Sequence, residues 1–265
     1  MIDNWLPKQV ITNVEQWDNS LTKFYPDAKQ WMDNPRTYLT RLTVDCNYLN
    51  AVKQLDWDKY LFENSTVLDI GCGGGWLTGY LSANKKISKL MAIDSSINYL
   101  ETFLPVVVDQ MGGDISKIRS VQGFFSPVLL ESNSVDTIVI SSALHHAEGI
   151  SGVLQEYKRV LKPNGFLLIL NETPAAHLKY LFSISRAFIG IFCSSLFKNY
   201  REHVKKISAG GFLYDPYLGD VDYPEWYWKK TIENAGFTLV DVHNTQLATV
   251  VNSKGRSLKH FICRK

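Results

Sequence analysis

The chain has 265 residues, 45% of them hydrophobic, and a formal net charge of +2 at neutral pH. Such a length and apolar content support one α/β domain with an elaboration, and the near balance of charge, without a dense Lys/Arg block, argues against a nucleic-acid partner. Cysteines at 46, 72, 193 and 263 form no CxxC pair and no metal-ligand spacing, so no metal is expected and reduced thiols in a cytoplasmic setting are.

In chain order, residues 1–60 are polar and aromatic, with helix-like patches such as Tyr38 to Gln54 and no clear strand, and they read as an N-terminal helical cap. The start Met1-Ile2-Asp3-Asn4-Trp5-Leu6-Pro7 lacks a basic region followed by an apolar one, so no secretory signal is expected there. From Val67 the pattern changes to strands at 66–70, 89–93, 118–122, 135–141 and 165–170. Amphipathic segments near 76–84, 97–110 and 150–161 separate them. That alternation predicts a parallel sheet with helices on both faces over residues 61–173. Lys162-Pro163-Asn164-Gly165 is a turn that ends one helix and starts the next strand.

Residues 174–224 break the alternation and read as a lid or insertion. The apolar stretch Leu178 to Phe197 is interrupted by Lys179, Arg186 and several serines, so its uninterrupted run falls short of the ~20 residues a membrane span needs. An amphipathic helix packed on the core, or on a second copy in a homodimer, is the expectation rather than membrane insertion. Residues 225–265 complete the core, with a helix from Glu225 to Ala235 stopped by Gly236, then strands at 237–242 and 257–263 that close the sheet as an antiparallel pair.

The first strand carries the most information. Val67-Leu68-Asp69-Ile70-Gly71-Cys72-Gly73-Gly74-Gly75 runs from an apolar strand through an aspartate into four glycines within five positions. Glycine permits φ > 0 and close approach of a ligand to bare peptide N–H groups, as a nucleotide-like ligand requires. A dinucleotide fingerprint needs a sixth-position glycine, but Trp76 (counting from Gly71) and Thr78 (counting from Gly73) stand there, so the NAD reading fails locally. At the end of the next strand, Met91-Ala92-Ile93-Asp94 supplies a carboxylate able to accept both hydrogen bonds of a ribose diol, or alternatively to cap the helix beginning near Ser95.

The acidic-x-Gly-x-Gly-x-Gly run from Asp69 through Gly71, Gly73 and Gly75 resembles the cofactor loop of class I S-adenosylmethionine-dependent methyltransferases. Val135 to Ser141, followed by Ser142-Ala143-Leu144-His145-His146, is similar to that family's fourth strand and loop. Glu156 and Arg159-Val160-Leu161-Lys162-Pro163-Asn164-Gly165 continue the match, which covers about residues 60–172. The resemblance implies a Rossmann-like, doubly wound, seven-stranded sheet with an antiparallel last strand, S-adenosyl-L-methionine as cofactor, and a small-molecule substrate. It implies a cofactor site at Asp69, Gly71, Cys72, Gly73, Gly75, Asp94, Ser95, Gly123, Phe124, Phe125 and Ser141. Where many members carry an acid after a Gly at the third strand's end, this chain reads Gly123-Phe124-Phe125, so adenine is expected to stack on Phe124 or Phe125. Cys72 reads as a small turn residue rather than a nucleophile.

A hydroxyl acceptor must lose a proton as it is methylated, and histidine is the natural agent near neutral pH. His145 and His146 stand where the fourth strand meets the cofactor's methionine end, His145 being favoured as base and His146 as structural. Glu172, at the end of the fifth strand beside Asn171, either orients the acceptor or caps a helix at Thr173-Pro174. The run Tyr214 to Tyr223, rich in rings and carboxylates, suits a sugar or equally an ordinary packed loop, and Arg36 and Arg41 are candidate partners for an acidic group on the acceptor. The leading expectation is O-methylation of a sugar, a glycan or capsule precursor, or a similar metabolite. The rivals are N-methylation, an NAD-dependent oxidoreductase, and a non-catalytic partner subunit with an apolar surface around Leu181, Ile184 and Phe188.

Overall fold

The computed structural model describes residues 2–6, 33–147, 149–175, 211–214, 220–249 and 256–265, together with 177–178, 180–182, 184–185, 189 and 206–207. Lys179, Ser183, Arg186, Phe188, residues 190–205 and residues 215–219 therefore lie outside the described residues, and with them part of the expected lid and of the aromatic, acidic loop.

The central sheet is built from β1 (Asp3–Asn4), β2 (Ser65–Ile70), β3 (Ile87–Asp94), β4 (Ile118–Gln122), β5 (Val135–Ser141), β6 (Leu161–Glu172), β9 (Thr238–Ala248) and β10 (Ser257–Arg264), in the order β1-β4-β3-β2-β5-β6-β10-β9. A separate two-stranded pair joins β7 (Lys206–Ile207) to β8 (Leu213–Tyr214). From β1 to β6 all pairings are parallel; β10 runs antiparallel between β6 and β9. The order reverses at β2, whose neighbours are β3 and β5, so a crevice opens at the carboxyl ends of these strands, where ligands of doubly wound sheets bind.

Helices cover both faces. They are α1 (Pro35–Thr40), α2 (Tyr48–Val52), α3 (Trp76–Ser82), α4 (Leu104–Gln110), α5 (Ile150–Val160) and α6 (Glu225–Asn234). Two buried cores result: one packs Leu68, Ile138, Leu154, Tyr157, Trp228 and Phe261, the other Val67, Leu77, Leu90, Phe103, Val107 and Val139. Neighbouring residues Val67 and Leu68 serve opposite cores, the expected consequence of side chains alternating across a strand covered on both sides.

Three differences from the sequence reading have local causes. The N-terminal region is not wholly a helical cap: Asp3 and Asn4 pair with Val121 and Gln122 and add an eighth strand to the expected seven. A two-residue strand leaves no periodicity to read. The expected segment 97–110 is helical throughout, but a π-helical turn (Tyr99–Phe103) within it leads into α4, where Pro105 has no N–H to donate to the preceding turn. The π-helical turn Arg41–Asp45 likewise joins α1 to the segment before α2.

In the described part of the insertion, Tyr180 is buried with Ala175 and Leu213, and Ile184 packs against them, while Leu178, Leu181 and Phe182 are exposed. The described residues of the segment thus present one buried and one exposed face. Among the described residues no helix is long and apolar enough to cross a membrane.

Candidate active site

Beyond β2 the chain turns through Gly71, Gly73 and Gly75, all at positive φ (68°, 52° and 86°). A Cβ on Gly71 would lie 2.8 Å from the Ala143 Cβ and 3.1 Å from Phe125 Cε1, and one on Gly73 would lie 2.5 Å from the Tyr38 hydroxyl. Conformation and space both exclude side chains at these two positions.

The expectation of bare amides in this loop is not met. The N–H groups of Gly71 and Cys72 both donate to the Ile93 carbonyl (2.8 and 3.0 Å), and that of Gly75 donates to the Cys72 carbonyl (3.0 Å). The Gly73 N–H donates to Asp94 Oδ2 (2.8 Å) and the Gly74 N–H to the Tyr38 hydroxyl (2.8 Å). A pyrophosphate would compete for those donors, whereas a ligand bearing sulfonium and ammonium charge needs acceptors instead. The loop is therefore ill suited to a dinucleotide, and the residues present fit S-adenosylmethionine.

Asp94 accepts from Gly73 through one oxygen and from the Ser96 N–H (2.9 Å) through the other. Asp94 thus closes the turn that precedes the helical segment from residue 97, and the same carboxylate also pins the glycine loop at the end of β3. Asp69 is buried behind the loop, where its Oδ2 accepts from the Thr78 hydroxyl at 2.6 Å and ties β2 to α3. Burial pushes its carboxyl up to about 7, against the opposing pull of the Thr78 hydrogen bond. Cys72 is also buried, and desolvation drives its thiol well above the ordinary range, as befits a turn residue and not a nucleophile.

Around the adenine end expected from the sequence, the Ser95 carbonyl accepts from Gln122 Nε2 (3.0 Å), and Gly123 packs against Ile93 and Trp5. Trp5 arrives there because β1 pairs alongside β4, with the Trp5 N–H on the Gln122 carbonyl; its neighbours in sequence gave no sign of this. Phe124 is half-buried, while the Phe125 ring lies over Gly71. Arg159 fixes the loop carrying them: it pairs with Glu156 and donates to the carbonyls of Val128 and Leu130, and Glu156 Oε1 accepts from the Val128 N–H.

The second half of the site forms at the ends of β5 and β6. Ser141 Oγ accepts from Asn171 Nδ2 (2.9 Å), and Asn171, at φ 57°, places its own N–H on His260 Nδ1 (3.0 Å). His260 is kept neutral, with burial lowering it to about 4. A 3-10 turn (Leu144–His146) then presents two rings with centroids 4.3 Å apart. His145 Nδ1 lies 2.8 Å from Glu172 Oε2, so Glu172 orients this ring and does not cap a helix. The other oxygen, Glu172 Oε1, is buried without a hydrogen-bond partner.

Asp220 approaches from the insertion, 3.0 Å from His146 Nδ1 and 3.9 Å from His145 Nε2. It is held there by the Val221 N–H on the His145 carbonyl (3.0 Å) and by Arg256, which grips Asp222 through two bonds (2.7 and 3.0 Å). Burial alone would lower His145, but the charges of Glu172, Asp220 and Asp222 outweigh it and raise the group to about 9. Tyr48, at the start of α2, bonds the Ser142 hydroxyl at 2.8 Å, and burial raises its phenol strongly. Arg36 is exposed at the first turn of α1. Sequence reasoning missed Tyr38, Tyr48 and Arg256. No local motif marks them, because each reaches the site through a long-range contact.

Residues 68–169 match the family model described as a methyltransferase domain. Those residues form a methyltransferase domain, and the fold around them is shared with S-adenosylmethionine-dependent methyltransferases. The chain is 24% identical over 203 residues to the mitochondrial ubiquinone biosynthesis O-methyltransferase of Candida albicans, a match covering 74% of the present chain and 55% of that protein. It is thus aligned with only about half of that relative's length. It is 26% identical over 196 residues to demethylmenaquinone methyltransferase of Staphylococcus aureus, covering 72% and 76% of the two chains.

Among solved structures, the fold is shared with a methyltransferase from Bacillus halodurans (TM-score 0.57, 18% identity, 82% and 99% covered). It is shared also with the 1,6-didemethyltoxoflavin-N1-methyltransferase of Burkholderia thailandensis, solved with bound 1,6-didemethyltoxoflavin and S-adenosylhomocysteine (TM-score 0.56, 15% identity, 100% and 93% covered).

Proposed function

We propose that the protein transfers a methyl group from S-adenosylmethionine to a hydroxyl oxygen of a small polar acceptor. The observation that carries the proposal is the His145–Glu172 pair, 2.8 Å apart at the ends of β5 and β6, beside the glycine loop. When bound, the cofactor supplies a sulfonium methyl, and transfer to a hydroxyl leaves a thioether and one proton to be removed.

The chain's own residues divide that work. Asp94 and the turn at Gly71 to Gly75 hold the ribose and methionine portions, with Ser95 and Ser141 at their edges, while Phe124, Phe125 and Trp5 enclose the adenine after Gly123. Glu172 accepts from His145 Nδ1–H and so aims Nε2 at the acceptor side, where the neutral form of the ring, populated increasingly as pH rises toward about 9, takes up the hydroxyl's proton. His146 and Asp220 border the acceptor, and Tyr48 with Ser142 closes its wall.

For the acceptor, a sugar or glycan precursor is favoured by the ring and carboxylate content of residues 214–223. The names of the Candida albicans and Staphylococcus aureus relatives add a phenolic or quinol ring to the compounds worth assaying. Methylation at nitrogen has less support, because a neutral amine needs no oriented imidazole–carboxylate pair to become nucleophilic. The test is label transfer from methyl-labelled S-adenosylmethionine to panels of sugar nucleotides, phenols and amines. Product from hydroxyl compounds, lost in His145→Ala, is expected; labelling of amines alone would overturn the oxygen assignment.

A further inference from the structure

We infer that His145, His146 and Asp220 form a binding site for a divalent first-row transition metal ion. The metal-free spacing read from the sequence concealed it, since two adjacent histidines and an aspartate from a distant loop make no local motif.

One ring nitrogen of His145, one of His146 and a carboxylate oxygen of Asp220 all lie within 4.8 Å of one another. Asp220 Oδ1 stands 3.0 Å from one ring nitrogen and 3.9 Å from the other. These values bracket the roughly 3.4 Å between ligand atoms of a tetrahedral ion with bonds of about 2.1 Å. Two imidazoles with one carboxylate suit zinc, cobalt, manganese or iron rather than calcium or magnesium, which prefer all-oxygen shells.

Two further observations distinguish this group from a chance ion pair. Metal-ligating histidines usually donate their second ring N–H to a carboxylate, and His145 does so to Glu172 at 2.8 Å, which leaves Nε2 as the ligating atom. The carboxylate is also preorganised. Residues on both sides of it are tied down, Val221 by its N–H on the His145 carbonyl and Asp222 by Arg256, itself bonded to the Thr173 carbonyl. Arg256 neutralises Asp222, so the local negative charge that remains comes from Asp220 and Glu172.

The catalytic consequence rests on the proposed methyl transfer; the binding does not. An ion in this position would face the acceptor and lower the pKa of a coordinated hydroxyl, so that its proton leaves to solvent. His145 would then act as a ligand and not as the proton acceptor.

The experiment is metal uptake by tag-free, chelator-stripped protein, titrated with Co2+ under visible absorption and with Zn2+ by calorimetry. The expected result is one ion per chain, uptake abolished in His146→Ala and Asp220→Asn, and affinity reduced about 10- to 100-fold in Glu172→Gln. Melting curves of the stripped variants check that they fold. Should they not, electron spin-echo modulation of the Cu2+-loaded wild type reads the imidazole nitrogens directly. No stoichiometric uptake, uptake unchanged in both folded variants, or no nitrogen modulation overturns the inference. Binding of S-adenosylmethionine without any metal uptake overturns the metal site and leaves the methyltransferase reading intact; the converse result does the opposite.

Discussion

The two halves of the proposed active site are built in opposite ways. The cofactor half comes from one turn and the next strand end: Gly71, Gly73 and Gly75 fold back on Ile93 and Asp94, and nearly every link is a backbone amide or a fixed carboxylate. The acceptor half gathers side chains from four distant places, Tyr48, His145, Glu172 and Asp220, and holds them by contacts between side chains. A backbone-built site tolerates few sequences, because only glycine satisfies its φ values and clearances. A site built from side chains on loops can change its ligand by exchanging one loop, which is the usual division between a scaffold and its variable edge.

The largest expected effect comes from breaking the backbone-built half. Gly71→Val adds a side chain at φ 68° against Ala143 and Phe125. It should abolish S-adenosylmethionine binding in calorimetry and lower stability by about 1–3 kcal/mol. Unaltered binding would mean that the loop does not contact the cofactor.

Next in size is Glu172→Gln, which removes the carboxylate that orients His145. Turnover should fall about 100-fold or more, with cofactor affinity within twofold of wild type. A parallel loss of both would erase the distinction between the halves. Arg256→Ala should cost about 1–3 kcal/mol in chemical denaturation by leaving Asp222 without its bidentate partner, and should raise the acceptor KM more than it lowers kcat. A variant as stable as wild type would show that the insertion loop is anchored elsewhere.

A last prediction separates the halves by pH. Asp69, raised to about 7, keeps its proton in the folded protein at pH values where the unfolded chain has lost it. Between about pH 4 and 7 the native state therefore binds more protons, and its stabilising contribution, complete below the unfolded value, is lost as pH rises through 7. The slope approaches ~1.4 kcal/mol per pH unit at most. Asp69→Asn should flatten it in denaturation curves collected from pH 5 to 8; an unchanged slope would assign it to other groups.

The same contrast governs what the sequence reveals. The expected strands 118–122 and 135–141 coincide with β4 and β5, and the glycine run is where the resemblance located it, because apolar periodicity and φ > 0 are local properties. Even there, the use of each loop amide was hidden: Tyr38 fills the place above Gly73 and Gly74, and it lies in a helix with no motif. His145 and Glu172 were legible as residues at adjoining strand ends, though not their 2.8 Å contact. Asp220 was only one acid in a mixed loop, and Trp5 belonged to a segment read as helical. Each needs the chain to close over a long distance before its chemistry exists.

The most direct measurement is a crystal structure with S-adenosylhomocysteine bound. The predicted result has the ribose hydroxyls on Asp94, the adenine between Gly123, Phe124 or Phe125 and Trp5, and the sulfur facing the side on which His145, Glu172 and Asp220 meet. A ligand whose sulfur turns away from that group, or that leaves the Gly71 to Gly75 turn untouched, would contradict the account.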